Sequence, residues 1–356
     1  MVRVGIIGHG WGERSQAPNF REAGMDVVAI AGHRDWRQVL DSAAELVTIV
    51  TPPSTHVEIA TAALQAGKHI ICEKPMALNA SEAEQLVAAA RAHPKQIAII
   101  DHELRFLPSF VEARKRIGDI GAIRYAEVRY ASPSRGDRSR PWNWWSDASQ
   151  GGGVWGAVGS HFVDALRYFG LEIEAVQAAL ATIIDERSGK KVTSDDFAAV
   201  HLRLSGGQRP SAVRTAEGGC PPPMATMTFS AVASGPDEPT ALTIHGENGA
   251  FRLTGEELLF AKRVVAGSQP AGAAKSRPPH FERIAGTDLA KRPGNSPGGA
   301  FGTGTYCLGL ALHRALDDGD RDALAPAATF SDGLAQQRVL DAARRSNAAG
   351  GRWETV

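Results

Sequence analysis

The chain has 356 residues, which suits about two domains. Lys plus Arg and Asp plus Glu each total 39, so the formal charge is zero and the footprint of a general nucleic-acid binder is missing. Hydrophobic residues at 43% and charged residues at 22% exclude disorder across the whole chain, and no run approaches the roughly 18 apolar residues of a membrane span. Cys72, Cys220 and Cys307 cannot all pair and lack metal-ligand spacing, so no metal site and a reducing compartment are expected. An apolar strand follows Met1 with no leader pattern, so a cytoplasmic location is expected.

In chain order, residues 2–7 (VRVGII) read as a buried strand ending in Gly8-His9-Gly10-Trp11-Gly12. Strands are expected at 25–31, 44–50, 68–73 and 96–101, with helices at 56–66 and 81–93. Their alternation and near-continuous apolarity imply a doubly wound parallel sheet over residues 1–120. The pattern then alternates at 123–131, 197–204, 224–233 and 241–246, which predicts a mostly antiparallel sheet in an α+β domain over 121–330. Residues 264–300 read as a long loop. Helices return at about 302–318 and 331–347, and a C-terminal helix in 331–356 is expected to pack back towards the first domain. MATMTFSAVA (224–233) is apolar at nearly every position, so both sheet faces are expected to be covered, one of them by a second copy in a homodimer or homotetramer.

The glycine turn carries the first functional signal. Gly8 permits a tight turn and Gly10 lets backbone approach a pyrophosphate, whose charge suits a helix N-terminus. A third glycine belongs at 13, where Glu13 stands; Gly12 sits one residue early. An NAD-preferring site carries an acid about 20 residues past the turn. This chain has Gly32-His33-Arg34 there. Arg34 is either a ligand for a 2′-phosphate or a solvated residue at a helix start. With no acid to reject that phosphate, NADP is the favoured cofactor and NAD remains possible.

These segments, in order, resemble the glucose–fructose oxidoreductase and inositol dehydrogenase family, Gfo/Idh/MocA. VRVGIIGHGWGERSQAP resembles its first strand and turn, and TPPSTH its segment bearing Thr51, Pro52 and His56. GKHIICEKPMALNASEAEQL resembles its most specific signature, around Glu73-Lys74-Pro75. DHELRFLPSF, GGGVWGAVGSHFVDALRYFG and ATFSDGLAQQRVLDAARRS resemble three later segments. The resemblance implies a Rossmann domain, an open-sheet α/β domain and NAD(P)-dependent oxidoreduction of a small molecule, most often a sugar or polyol. With the glycine turn, and with His33 and Arg34 as candidate 2′-phosphate ligands, it gives expected cofactor contacts from Gly8, Gly10, Trp11, Gly12, His33, Arg34, Thr51, Pro52, His56, Glu73 and Lys74. Two departures stand out. Many members carry Asp four residues before the helix histidine, where this chain has Ala157. The stretch 32–46 is also short, leaving space for one helix near Asp35–Ala44 and implying a missing strand on the adenine side.

Oxidising an alcohol needs a hydride acceptor and a proton acceptor. His161 is the natural general base, and Lys74 can stabilise the developing oxyanion while depressing the imidazole pKa. A cis bond at Pro75 would turn Lys74 into the cleft. Glu73 either fixes that turn or pairs the lysine. Asp164 either orients His161 or makes a structural salt bridge. Arg105 either holds substrate or joins an interface, and His102 and Glu103 share that ambiguity. Trp142, Asn143 and Trp144 either form a sugar-binding wall or pack a loop. Gly151, Gly152 and Gly153 read as backbone freedom beneath the cofactor rather than a phosphate site, since no helix is expected directly after them. The competing readings are a catalytically silent cofactor-binding regulator, favoured by Ala157, and an enzyme acting on a non-sugar carbonyl or dihydrodiol.

Overall fold

The structure, a computed structural model, describes residues 1–205, 222–235, 240–255, 257–263, 280–285 and 299–356. The first unit runs β1 (Arg3–Ile7), a π-helical turn (Gly12–Gln16), α1 (Ala17–Glu22), β2 (Asp26–Ala31), α2 (Arg37–Leu40), β3 (Leu46–Ile49), α3 (His56–Gln65), β4 (His69–Cys72), α4 (Ala80–Ala92) and β5 (Ala98–Ile100). A 3₁₀ turn (Glu103–Phe106) and α5 (Pro108–Arg116) lead out. The five strands pair in parallel in the order β5-β4-β3-β1-β2. Ile59, Leu64 and Leu86 cover one face, while Phe20 of α1 covers the other. Burial on both faces explains why the central strands β1, β3 and β4 read as unbroken apolar runs, while the edge strand β2 is half-exposed.

Among the described residues this sheet ends at β2, so no strand lies outside it on the adenine side, as the short 32–46 segment implies. The helix there is only four residues long, against the ten anticipated.

The second unit contains β6 (Ile123–Ala131), α6 (Ser160–Tyr168), β7 (Glu172–Ala181), a small ribbon β8 (Glu186–Arg187) and β9 (Lys190–Lys191), β10 (Phe197–Ser205), β11 (Met224–Ser230), β12 (Ala241–Gly246), β13 (Gly249–Thr254), β14 (Glu257–Lys262) and β15 (Glu282–Arg283). α7 (Gly299–Leu316), β16 (Ala328–Thr329), α8 (Phe330–Ala348) and β17 (Glu354–Thr355) follow. The nine-stranded sheet has the order β15-β14-β13-β12-β6-β11-β10-β7-β17, antiparallel except for β6 beside β11. β7, β13 and β14 lie outside the strands read from the sequence. The anticipated loop at 264–300 falls largely outside the described residues.

The inner face of this sheet, including Val128, Val200, Met227 and Phe229, packs on Phe162 and Leu166 of α6 and Leu340 of α8. The outer face corrects the reading of 224–233. Its strand alternates, with Ala225, Met227 and Phe229 buried and Thr228 exposed. The polar or charged side chains of Glu127, Arg129, Thr226, Thr228 and Arg252 line a cavity there. The face is polar, so the apolar premise for a covering copy fails.

The chain's end ties the two units together. β16 adds antiparallel to β5. α8 holds α4 through Asp341, which accepts from the Ala80 amide at 2.7 Å, and holds β7 through Ser346, which accepts from the Ala178 amide at 2.9 Å. α7 packs with the first unit, since Leu308 and Leu312 share a core with Val4, Ile6 and Phe20. No helix among the described residues is long and apolar enough to cross a membrane.

Candidate active site

Ligands of open α/β sheets collect at the carboxyl ends of the strands. Here those ends open into a cleft of about 650 Å³. Gly8, Gly10 and Trp11 reach it after β1, His33 after β2, Thr51 and Pro52 after β3, Glu73 and Lys74 after β4, and Glu103 after β5. The second unit contributes Trp144, Ala157 and His161, and α7 contributes Phe301.

The glycine turn divides its labour. Gly8 has φ +130°, and a Cβ there would stand 2.6 Å from the Val50 carbonyl oxygen. A Cβ at Gly10 would meet nothing within 4 Å, so the approach of a ligand to this backbone is unobstructed. Gly12 does not line the cleft. A Cβ there would meet Ile6 Cγ2 at 2.7 Å, so Gly12 performs the helix–strand packing expected of a glycine at 13.

The Lys74–Pro75 bond is cis, and Lys74 Nζ donates to the Ala157 carbonyl at 2.9 Å. Glu73 accepts from the Lys74 amide at 3.1 Å and from Gln16 Nε2 at 3.2 Å. Gln16 Nε2 also donates to Asp101 at 2.7 Å, and Thr48 donates to Gln16 Oε1 at 2.7 Å. Burial pushes the Glu73 carboxyl up against the pull of Lys74, and burial plus Glu73 pushes Asp101 well up.

His161 sits in the first turn of α6, which continues from a π-helical turn at Trp155–Gly159. Asp195 caps this start. Its carboxylate accepts from the Trp155 amide at 2.7 Å, and its carbonyl accepts from the Val154 amide at 2.8 Å. A Cβ at Gly153 would stand 2.4 Å from Asp195 Oδ1. The glycine run therefore leads directly into helix, contrary to the sequence reading, and its last residue makes space for the cap. Burial raises the Asp195 carboxyl to about 6. His161 is 2% exposed, with Phe301 centred 4.8 Å from its ring and His102 at 5.8 Å. Burial, then Lys74 and His102, push its imidazole well below the usual range, so it stands neutral.

Several expected ligands have other partners. Arg105 Nε and Nη2 donate to the two Asp164 oxygens at 2.8 and 2.7 Å, so both residues form a buried clamp and neither is free for substrate. Trp142 Nε1 donates to the Lys191 carbonyl at 3.1 Å, and Asn143 Oδ1 accepts from the Trp145 amide at 3.1 Å. Both shape the loop, while Trp144 reaches the cleft together with Trp145, which is absent from the sequence-derived site. His56 is buried, its ring nitrogens 2.8 and 3.1 Å from the Thr51 and Met76 carbonyls, so it ties two loops rather than touching a ligand. Arg34 is exposed outside the lining, beside His33. Asp195 and Phe301 lie in no segment that the sequence reading singles out, and Gln16 and Asp101 lie in such segments without a role assigned to them; the roles of all four emerge only from contacts across the fold.

Residues 27–101 match the oxidoreductase family described by its NAD-binding Rossmann fold, and residues 110–252 match the GFO/IDH/MocA C-terminal domain. Glucose-fructose oxidoreductase domain-containing protein 2 of Xenopus tropicalis is 30% identical over 365 residues, covering 97% of this chain and 86% of the relative. Levoglucosan dehydrogenase in complex with NADH and levoglucosan superposes with a TM-score of 0.79 at 24% identity, covering 100% of this chain and 99% of that one. An inositol dehydrogenase homolog from Azotobacter vinelandii, complexed with NADH and myo-inositol, gives 0.75 at 20% identity, covering 100% and 97%. At those identities the two structures show a shared fold. With the family's two domains matched in order and the long relative aligned nearly end to end, this chain belongs to the Gfo/Idh/MocA family of NAD-binding oxidoreductases.

Proposed function

We propose that the protein is an NAD(P)-dependent dehydrogenase of a small sugar, sugar derivative or polyol. One observation carries this reading: Lys74 and His161, far apart in sequence, line the same cleft as the glycine turn. The open position at Gly10 and the left-handed Gly8 fit a dinucleotide, which Gly8, Gly10, Trp11, His33, Thr51 and Pro52 would hold. The bound nicotinamide supplies the hydride acceptor or donor. His161, held neutral, takes the hydroxyl proton in oxidation and returns it in reduction. Lys74 donates a hydrogen bond to the same oxygen and stabilises its negative charge. Trp144 and Trp145 offer apolar faces to sugar C–H groups.

NADP(H) is the preferred form in this reading, supported by His33 in the cleft wall, Arg34 beside it and the lack of an acid at the end of β2. Homodimer or homotetramer formation also belongs to it, without an apolar sheet face as its ground; light scattering showing a monomer at micromolar concentration removes that part. The main test is calorimetric titration with both nucleotides, followed by a panel of sugars and polyols monitored by reduced-nicotinamide absorbance. Turnover that is lost in Lys74→Met supports the assignment. Cofactor binding with no turnover across the panel supports the silent regulator, the reading that Ala157 favours.

A further inference from the structure

Ala157 stands where a carboxylate four residues before His161 is missing, and Asp164 on the same helix is committed to Arg105. A different one stands across the cleft wall. Glu103 opens the 3₁₀ turn after β5 and is 3% exposed. Its Oε2 has no hydrogen-bond partner and lies 3.8 Å from His161 Nδ1, which has none either. Two buried, unpartnered atoms of complementary type thus face one another, and burial without partners is costly unless function retains it. Helix α7 is seated on this pair. A Cβ at Gly304 would stand 2.9 Å from Glu103 Cγ, and Phe301 covers the imidazole.

We propose that Glu103 is the positioning residue for His161, accepting from Nδ1–H so that the unprotonated Nε2 faces the cleft, and holding the proton that Nε2 gains. This rests on the dehydrogenase reading, in which His161 exchanges a proton with the alcohol. In oxidation the pair starts as Glu103 carboxylate with Nδ1–H. Nε2 takes the hydroxyl proton, and the Nδ1 proton passes to the carboxylate. The pair ends as carboxylic acid with Nε2–H, one proton richer, with no imidazolium left in the buried site. Reduction runs the same transfers backwards. Hydrogen bonds of this kind are often long without ligand and tighten in the complex.

The charged and titratable groups facing the pair are Asp101 and Glu73 behind Glu103, Lys74 between the walls, and His102 behind His161. From α7 the uncharged Phe301 and Gly304 pack against the pair. Burial, then Asp101, push the Glu103 carboxyl well up, while burial, then Lys74, push the imidazole well down. That opposition favours a proton on Glu103 over one shared as imidazolium.

The test uses the full chain labelled with ¹⁵N-histidine, titrated by pH without cofactor or substrate, with His161 assigned by its loss in His161→Ala. The wild type is expected to switch from the Nε2–H to the Nδ1–H tautomer as pH rises through the Glu103 titration. Glu103→Met removes the acceptor, so His161 stays Nε2–H throughout. Should that variant fail to fold, Glu103→Gln keeps the shape and still abolishes the switch. A wild-type tautomer independent of pH, or the same switch surviving in the variant, overturns the proposal. Because no substrate is present, the outcomes separate: a switch without turnover on the sugar panel retains the pair and removes the dehydrogenase, and turnover without a switch does the reverse.

Discussion

Two buried ionic clusters lie on either side of His102, and they are built on opposite plans. Arg105 and Asp164 saturate each other through two bonds at 2.8 and 2.7 Å, and Asp332 adds a further oxygen 3.6 Å from Arg105. Glu103, Asp101 and His161 each keep a buried polar atom with no partner. A saturated pair does structural work, because every charge is already committed. An undersatisfied cluster costs stability and is retained where the groups must exchange protons. Sequence alone leaves Arg105, Asp164 and Glu103 as open alternatives; partner saturation is what separates them.

The contrast can be broken most severely at His161. On the dehydrogenase reading, His161→Ala lowers kcat by about 10²- to 10⁴-fold while calorimetry shows cofactor affinity nearly unchanged. Next in size is Asp164→Ala, which strands a buried guanidinium and costs about 3–5 kcal/mol of stability. Thermal melting reads it as a fall in Tm, with kcat well below the melting range little affected. A large kcat loss in Asp164→Ala at full stability would erase the distinction between the clusters.

His102 gives a smaller, pH-dependent signal. Burial lowers its imidazole from 6.5 to about 4. Between those values the unfolded chain binds more protons than the folded one, so stability falls as pH drops from about 6.5 towards 4. His102→Gln should narrow the Tm difference between pH 6.5 and pH 5, and an unchanged difference would remove His102 from the acid response. Ala157→Asp sharpens the comparison by supplying a second carboxylate near His161; we expect higher kcat or a shifted pH profile. The smallest effect is at the exposed Arg34. Arg34→Ala should narrow the preference for NADP(H) over NAD(H) a few-fold by calorimetry, and a gap of the same size would assign that preference elsewhere.

The parallel strands are legible in the sequence because the central ones are buried on both faces and all are apolar runs bounded by turn residues, even the half-exposed edge strand β2. Lys74 and His161 are legible because their segments carry motif spacing. β7 is not: EIEAVQAALA is rich in alanine with little β-branched character, and its burial comes from β10 and α8. The apolar composition of 224–233 conceals an ordinary alternation, since Met224 lies on the half-open face and Thr228 is exposed. Asp195 reaches the helix start from 40 residues away, and Glu103 meets His161 only because the chain crosses from one sheet to the other between them. Long-range juxtapositions of this kind leave no local pattern.

The most direct measurement is a crystal structure of the full chain with NADPH bound. We expect the pyrophosphate on the Gly8–Gly12 turn and the nicotinamide C4 facing a space bordered by Lys74 Nζ and His161 Nε2. A nicotinamide turned away from that space, or Lys74 and His161 on opposite sides of the ring, would contradict the shared proton-transfer site.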